Sequence, residues 1–235
     1  MANIAAPARI RHADLHLGSW HISLTRDAVP ASQLAAQYDR AAASWDRSLS
    51  RTGTLGAYDS LFMRILPDLD LPAGAPVLDC GTGTGALTRS LARLAFAPLS
   101  HHATDLSLGM CARAAQAFGA DGLPVQTACA DICHLPYADD SFALTMAAHV
   151  CEHLADPRRA LSELRRVTRP GGAVLLIQTR RSLAGRLIQL AWRTHLTTDH
   201  DLPTALIEAG FAQAHTIPLR GRRARALSVA CLATA

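Results

Sequence analysis

An acid and then glycine at every second position, Asp79-Cys80-Gly81-Thr82-Gly83-Thr84-Gly85, close one apolar run and open a helical pattern. Glycine at a helix mouth costs conformational entropy, so this turn needs bare backbone against a neighbour or a ligand. Such a turn can hold a pyrophosphate on a helix N-terminus, but the G-x-G-x-x-G fingerprint is not met: Ala86 stands at its last position and the third glycine comes one residue early. Asp105 ends the next apolar run, 20 residues beyond Gly85. A carboxylate there can accept both hydroxyls of a ribose. Leu106 can pack on an adenine face, and Asp131, after the third run, can accept an exocyclic amine. These acids suit a nicotinamide dinucleotide and other adenosine ligands alike. Farther on, "HVCEHL" offers His149, Glu152 and His153. His153 is the first choice for a base or acceptor-orienting group and His149 the second, since imidazole titrates near neutrality. Zinc held by His149, Cys151 and His153 is disfavoured, because alternate residues of a strand face opposite sides.

The elements that must carry these residues alternate. Strands are expected at 77–80, 99–104, 125–130, 142–150, 172–179, 213–219 and 226–233, with helices near 84–95, 107–118, 157–168, 182–194 and 203–209. That order predicts a mostly parallel sheet covered on both faces, whose ligands bind beyond the C-terminal strand ends. The last two strands are joined only by "RGRRARA", too short for a crossover helix, and should pair antiparallel. Upstream, "SQLAAQYDRAAASWDRSL" reads as a helix capped by Ser32, and "TLGAYDSLFMRILPDL" as a second helix ending at Pro67. Residues 1–30 show no clear periodicity and read as an arm.

Composition narrows the class. No apolar run approaches a membrane span, no secretory leader is evident, and six scattered cysteines complete no zinc pattern. The expectation is a cytoplasmic protein with reduced, mostly buried thiols, Cys80 and Cys129 among them. All 23 basic residues are arginine; residues 1–157 carry 10 of them against 15 acids, and 158–235 carry 13 against 4. A basic C-terminal third can favour an anionic substrate, a lipid surface or nucleic acid. Nucleic acid is disfavoured, since aromatics make up only 5% of the chain and no RNA-binding module is appended.

In order and spacing, VLDCGTGTG, ATDLS, ADICHLPYADDSF and RVTRPGG resemble the class I S-adenosylmethionine-dependent methyltransferases, in particular the small-molecule, quinone and lipid methyltransferase group. The likeness is good over 77–180 and loose over 200–235; Ala143, Thr168 and Arg169 depart from the family pattern outside the cofactor region. The resemblance implies an α/β, Rossmann-like sheet of seven strands, mostly parallel, with an antiparallel C-terminal hairpin, helices on both faces and an N-terminal helical cap. It divides the chain into an arm and cap (1–70) and a cofactor-binding unit (71–235). It implies that Asp79, Gly81, Gly83 and Gly85 border the methionine and ribose of S-adenosylmethionine. Asp105 would take the ribose hydroxyls, and Asp131 with the Ile132 backbone would read the adenine. Ala147 and His149 would lie at the methionine end, and Tyr38 would close over it. The implied reaction is methyl transfer to a small-molecule acceptor, without metal, releasing S-adenosylhomocysteine. The alternatives are a lipid or quinone methyltransferase in peripheral contact with a membrane, favoured by the arginines and the 182–194 helix, and a non-catalytic cofactor-binding protein on the same fold. Acceptor specificity should come from 1–60 and 181–203.

Overall fold

The computed structural model describes residues 9–27, 29–45 and 53–235. Seven strands form one sheet: β3 (Pro76–Cys80), β4 (Ser100–Asp105), β5 (Val125–Cys129), β6 (Phe142–Ala148), β7 (Thr168–Thr179), β8 (Gln213–Ile217) and β9 (Ser228–Thr234), in the order β5-β4-β3-β6-β7-β9-β8. β9 inserts antiparallel between β7 and β8, and the pairs among β3–β7 are parallel. The order reverses at β3, so the glycine turn leaves the sheet at the topological switch point, where a crevice opens.

Strand residues supply both cores. Along β7, Ala173, Leu175 and Ile177 face one side and Val174 and Leu176 the other, the period-two pattern of a sheet buried on both faces. The first side packs against Leu61, Phe62 and Ile65 of α2 (Thr54–Ile65) and Leu87 and Leu91 of α3 (Ala86–Leu94). The second packs against Leu161 and Leu164 of α5 (Arg158–Val167) and Leu202 and Leu206 of α7 (Asp201–Glu208). Helix α4 (Leu108–Ala120) lays Ala114 and Phe118 on Ala103 of β4. Its N-cap is Ser107, whose hydroxyl accepts from the Met110 amide at 3.0 Å.

Helix α1 (Ala31–Ala41) sits over this same helix start. Asp39 accepts from the Gly109 amide at 2.9 Å and from the Ser107 hydroxyl, placing an anion on a helix N-terminus. These bonds, the Ser107 hydroxyl foremost, hold the Asp39 carboxyl below its usual range. Ser32 is not the cap of α1: Pro30 precedes the helix, without a side-chain cap bond, and Ser32 lies inside the first turn. The expected continuation of this helix through 46–49 falls outside the described residues.

Other expectations need correction. Residues 9–27 are not an aperiodic arm but an antiparallel hairpin, β1 (Arg9–Leu17) with β2 (Trp20–Asp27), closed at Gly18-Ser19. The "RPGG" turn is taken into β7 as an irregularity between Phe142 and Leu144 in the β6 register. The "RGRRARA" link winds into a short helix, α8 (Arg222–Leu227), without changing the antiparallel pairing. Cys129 is exposed, because β5 is an edge strand; all six thiols are free.

At Gly85 the fold needs glycine twice over. Its φ is +84°, and a Cβ there would stand 2.5 Å from the Phe118 ring. Gly122 has φ +65° with open space around it. Gly85→Ala should therefore cost about 2–5 kcal/mol, combining left-handed strain with overpacking. Gly122→Ala should cost only the strain, about 1–2 kcal/mol. Urea unfolding of the two variants checks the difference.

Candidate active site

The turn after β3 is built around a buried acid. The Thr82 and Thr88 hydroxyls donate to Asp79 Oδ2 at 2.9 and 2.7 Å, tying the strand end to the turn and to α3. Burial drives the Asp79 carboxyl up to about 6, against the pull of the two threonines. Asp105, at the end of β4, accepts from the Gly83 amide at 2.8 Å through Oδ2 and from the Ser107 amide at 2.9 Å through Oδ1. Burial raises its pKa too, opposed by those backbone bonds. A carboxylate has about four lone-pair positions, so Asp105 can staple the turn and still accept from a ligand.

Above these acids lies a cleft of about 340 Å³. Asp79, Gly81, Gly83, Asp105 and Leu106 line its floor, and Asp131 and Ile132 one end. Asp131 Oδ1 also accepts from the Cys133 amide at 2.9 Å. Gly81 has a packing reason for its glycine as well: a Cβ would lie 2.2 Å from Val150 Cγ2. Only Gly83 presents its open face to the cleft, with Trp45 Nε1 3.5 Å from where a Cβ would be. Gly85 does not line the cleft; its glycine serves Phe118. Ala147 does not line it either, because it is buried between β3 and β7, and Ala148 takes the expected place.

The other end of the cleft holds His149, Glu152 and His153, which share a turn after β6 rather than a strand. Residues 151–153 form one 3-10 turn, and His149 has φ +60°, uncommon for a residue with a side chain. The strand-alternation argument against zinc therefore does not apply to these residues, which share a turn. Glu152 is 2% exposed. It accepts from the Thr179 hydroxyl at 2.7 Å, from the Thr179 amide, and from His149 Nδ1 at 3.3 Å. Burial pushes its pKa up, but the neighbouring histidines and Thr179 outweigh that and hold the carboxyl below its ordinary value. An ionised carboxylate at Nδ1 fixes the tautomer and leaves Nε2 as the basic nitrogen, 3.4 Å from Ser228 Oγ.

His153 is differently placed. Its Nε2 accepts from the Tyr38 hydroxyl at 2.7 Å, it hydrogen-bonds the Trp192 backbone, and burial lowers its pKa despite Glu152. Its Nε2 is held at 2.7 Å by a buried phenol, far more closely than the 3.4 Å that separates His149 Nε2 from Ser228 Oγ, so the expected role as first-choice base suits His153 less well than His149. It straps α1 to the strand ends instead. Tyr38 stacks on Trp192 at 5.2 Å between ring centroids and meets Trp45 edge-on at 5.4 Å, closing one side of the cleft with three aromatic rings. Burial raises the Tyr38 pKa, so its hydroxyl keeps its proton.

Trp45, Trp192, Thr179 and Thr194 were not singled out from the sequence. The tryptophans could have been, since the chain has only three and both stand in segments expected to set specificity. Thr194 is fully buried in the cleft wall, and its hydroxyl has no partner. Leaving such a donor unpaired costs about 1–3 kcal/mol, a cost that a ligand atom removes.

Residues 78–176 match the family model of a methyltransferase domain. The chain is 37% identical over 142 residues to a malonyl-acyl-carrier-protein O-methyltransferase of Halorhodospira halophila, a match covering 57% of this chain and 48% of the relative. It is 30% identical over 141 residues to the ubiquinone/menaquinone biosynthesis C-methyltransferase UbiE of Bdellovibrio bacteriovorus, covering 60% of this chain and 59% of that one. The chain thus spans about half the length of these curated relatives. Among solved structures, the cyclase SpnF superposes with a TM-score of 0.67 at 19% identity, over 89% of this chain and 99% of that one. At that identity the likeness concerns the fold alone.

Asp79 supplies a test free of ligand. Its folded pKa of about 6 lies above the usual carboxylate value, so the folded state holds its proton more tightly than the unfolded chain. Its ionisation costs nothing below about pH 4, and the cost grows as pH rises, reaching about 3 kcal/mol above both pKa values. Asp79→Asn keeps an oxygen for both threonines and carries no charge. Its melting temperature should exceed the parent's above pH 6 and converge with it near pH 4, as calorimetry would show.

Proposed function

We propose that this chain is a class I S-adenosylmethionine-dependent methyltransferase, as its likeness to the methyltransferase-domain model and to curated methyltransferases supports, and that it transfers a methyl group from S-adenosylmethionine to a small-molecule acceptor. The observation that carries this reading is one cleft with two unlike ends: buried acids Asp79 and Asp105 under the glycine turn, and the Glu152-oriented His149 at the other end. The residues present fit the cofactor. Gly83 leaves room a Cβ would fill, and Asp79 is a carboxylate kept in the cleft at a cost in stability, which a cationic ligand group offsets. Asp79 and Gly81 would hold the amino-acid end, Asp105 the ribose hydroxyls, and Leu106, Asp131 and Ile132 the adenine. When bound, S-adenosylmethionine supplies a methyl group already activated on a sulfonium. The protein's share is then alignment and exclusion of water. Tyr38, Trp45 and Trp192 cover the cleft, and His153 holds Tyr38 in that position. Residues 1–70 serve in this reading as arm and cap to the unit at 71–235, and the free thiols accord with a cytoplasmic setting.

His149 replaces His153 as the base. Its Nε2 can take a proton from an acceptor hydroxyl or ammonium, with Glu152 stabilising the imidazolium that results. Thr194 and Ser228 can orient the acceptor's polar atom beside it. The inner wall of Ile188, Trp192 and Leu227 suits an apolar acceptor body.

Two measurements test the reading. S-adenosylhomocysteine should bind in calorimetry, with affinity rising as pH increases through about 6, because the ligand ammonium pairs with ionised Asp79. Asp105→Ala should weaken that binding by about 1.5–3 kcal/mol, the scale of a hydrogen bond to a charged group. No binding of S-adenosylhomocysteine alongside tight binding of NAD would sink the proposal. For the base, His149→Gln should cut turnover at least tenfold, as expected for lost proton transfer worth about 10²–10⁴. Glu152→Gln should cut it less, and neither should abolish binding of S-adenosylhomocysteine. Unchanged turnover in His149→Gln would leave alignment alone as the catalyst.

A further inference from the structure

Helix α6 (Leu183–Trp192) is amphipathic the wrong way round. Its inward face carries Gly185, Ile188, Gln189 and Trp192, two of which line the cleft. Its outward face carries Leu183, Leu187 and Leu190, which are 85%, 70% and 65% exposed. The spacing 183, 187, 190 makes one stripe along a helix.

The roll of the helix about its axis is not free. A Cβ on Gly185 would stand 2.0 Å from the Arg180 carbonyl oxygen, so backbone abuts backbone at the start of the helix. Ser182 accepts from the Gly185 amide at 2.9 Å and donates to the Ala226 carbonyl of α8 at 2.6 Å. At the other end the Gln189 side chain donates to the Thr194 carbonyl at 3.1 Å. These anchors hold the leucines outward. Exposed arginines stand on the same two helices: Arg186 on α6 itself, and Arg222 and Arg225 on α8, which packs beside it.

We propose that this face, the leucines of α6 with the arginines of α6 and α8, seats the protein on an anionic lipid surface. Leucines enter the acyl boundary while guanidinium groups remain at the headgroup level, the arrangement of an interfacial helix. The charge is right for anionic headgroups. A stripe of leucines on a convex helix suits a yielding apolar medium, which needs no matching groove. The same helix is a wall of the cleft, so an acceptor partitioned into the lipid reaches Ile188 and Trp192 along its inner side. The lipid seat is argued from the surface alone; the route of the acceptor and the S-adenosylhomocysteine control rest on the methyl-transfer reading, whereas sedimentation with circular dichroism tests the seat without it.

The test is co-sedimentation of the whole chain with vesicles of phosphatidylcholine alone and of phosphatidylcholine with phosphatidylglycerol. Binding is expected to the anionic vesicles, weakened by salt. Leu183→Ser/Leu187→Ser/Leu190→Ser should lower the partition coefficient at least about tenfold, and Arg222→Gln/Arg225→Gln about fivefold per arginine. Circular dichroism and unchanged affinity for S-adenosylhomocysteine would show that the variants are folded, because none of these side chains lines the cleft. Equal sedimentation with both vesicle types, no sedimentation with either, or a triple-leucine variant that binds like the parent would each overturn the proposal. Capture of an acidic carrier protein by this face without vesicle binding would overturn it as well.

Discussion

The carboxylate of Asp79 is the constraint on which this site rests. It is buried at the switch point of the sheet, and the Thr82 and Thr88 hydroxyls donate to its Oδ2 with help from the Thr88 main chain. Those hydroxyls belong to the turn and to the first helical residues after it, so solvating one acid shapes the whole β3–α3 connection. Asp105 repeats the device from the neighbouring strand by holding the Gly83 amide. Together the two acids trade stability for negative charge under the cleft floor, and such an exchange is expected where a ligand completes the electrostatics.

The closed side of the cleft follows from that floor. Asp39 on α1 reaches the start of α4 only because Asp105 has already placed Ser107 there. Once α1 is docked, Tyr38 points at His153 and Trp192, so the proposed cover of the cofactor and the proposed wall of the acceptor end share one aromatic cluster. Movement of α1 would therefore be felt at both ends.

Much of this was legible in the sequence, and the reasons differ by element. The sheet was readable because alternating apolar segments at this pace permit few arrangements, and the short final link required antiparallel pairing. Asp79, Asp105 and Asp131 were readable because each stands at or just beyond the end of a strand, beside glycine or a turn. The hairpin at 9–27 was legible after all: Ala13, Leu15 and Leu17, then Trp20, Ile22 and Leu24, alternate with polar residues on either side of Gly18-Ser19, and the expectation of an arm passes over that pattern. Gly81 and Gly85 show how one residue type can answer two demands. The spacing suggests a ligand, whereas Val150 and Phe118 supply the closer reason. Cys129 was misread because a strand segment does not say whether it lies at an edge.

The ranking of the two histidines turns on context that residue type cannot carry. His149 and His153 sit on one turn and both have imidazole's intrinsic range, so spacing alone does not separate them. What separates them is the company of each ring. His153 is enclosed by Tyr38 and the Trp192 backbone, with its Nε2 held by the phenol. His149 is carried by a left-handed backbone toward the cleft, with its inner nitrogen against the Glu152 carboxylate. That carboxylate remains charged in a buried position because His149 and His153 face it and Thr179 donates to it from both side chain and main chain. Thr179 ends β7, the strand that β9 clamps on its far side. The antiparallel insertion that completes the sheet therefore also steadies Thr179 and, through it, Glu152 beside His149, so that end of the cleft depends on the C-terminal strands as directly as the Asp79 end depends on β3.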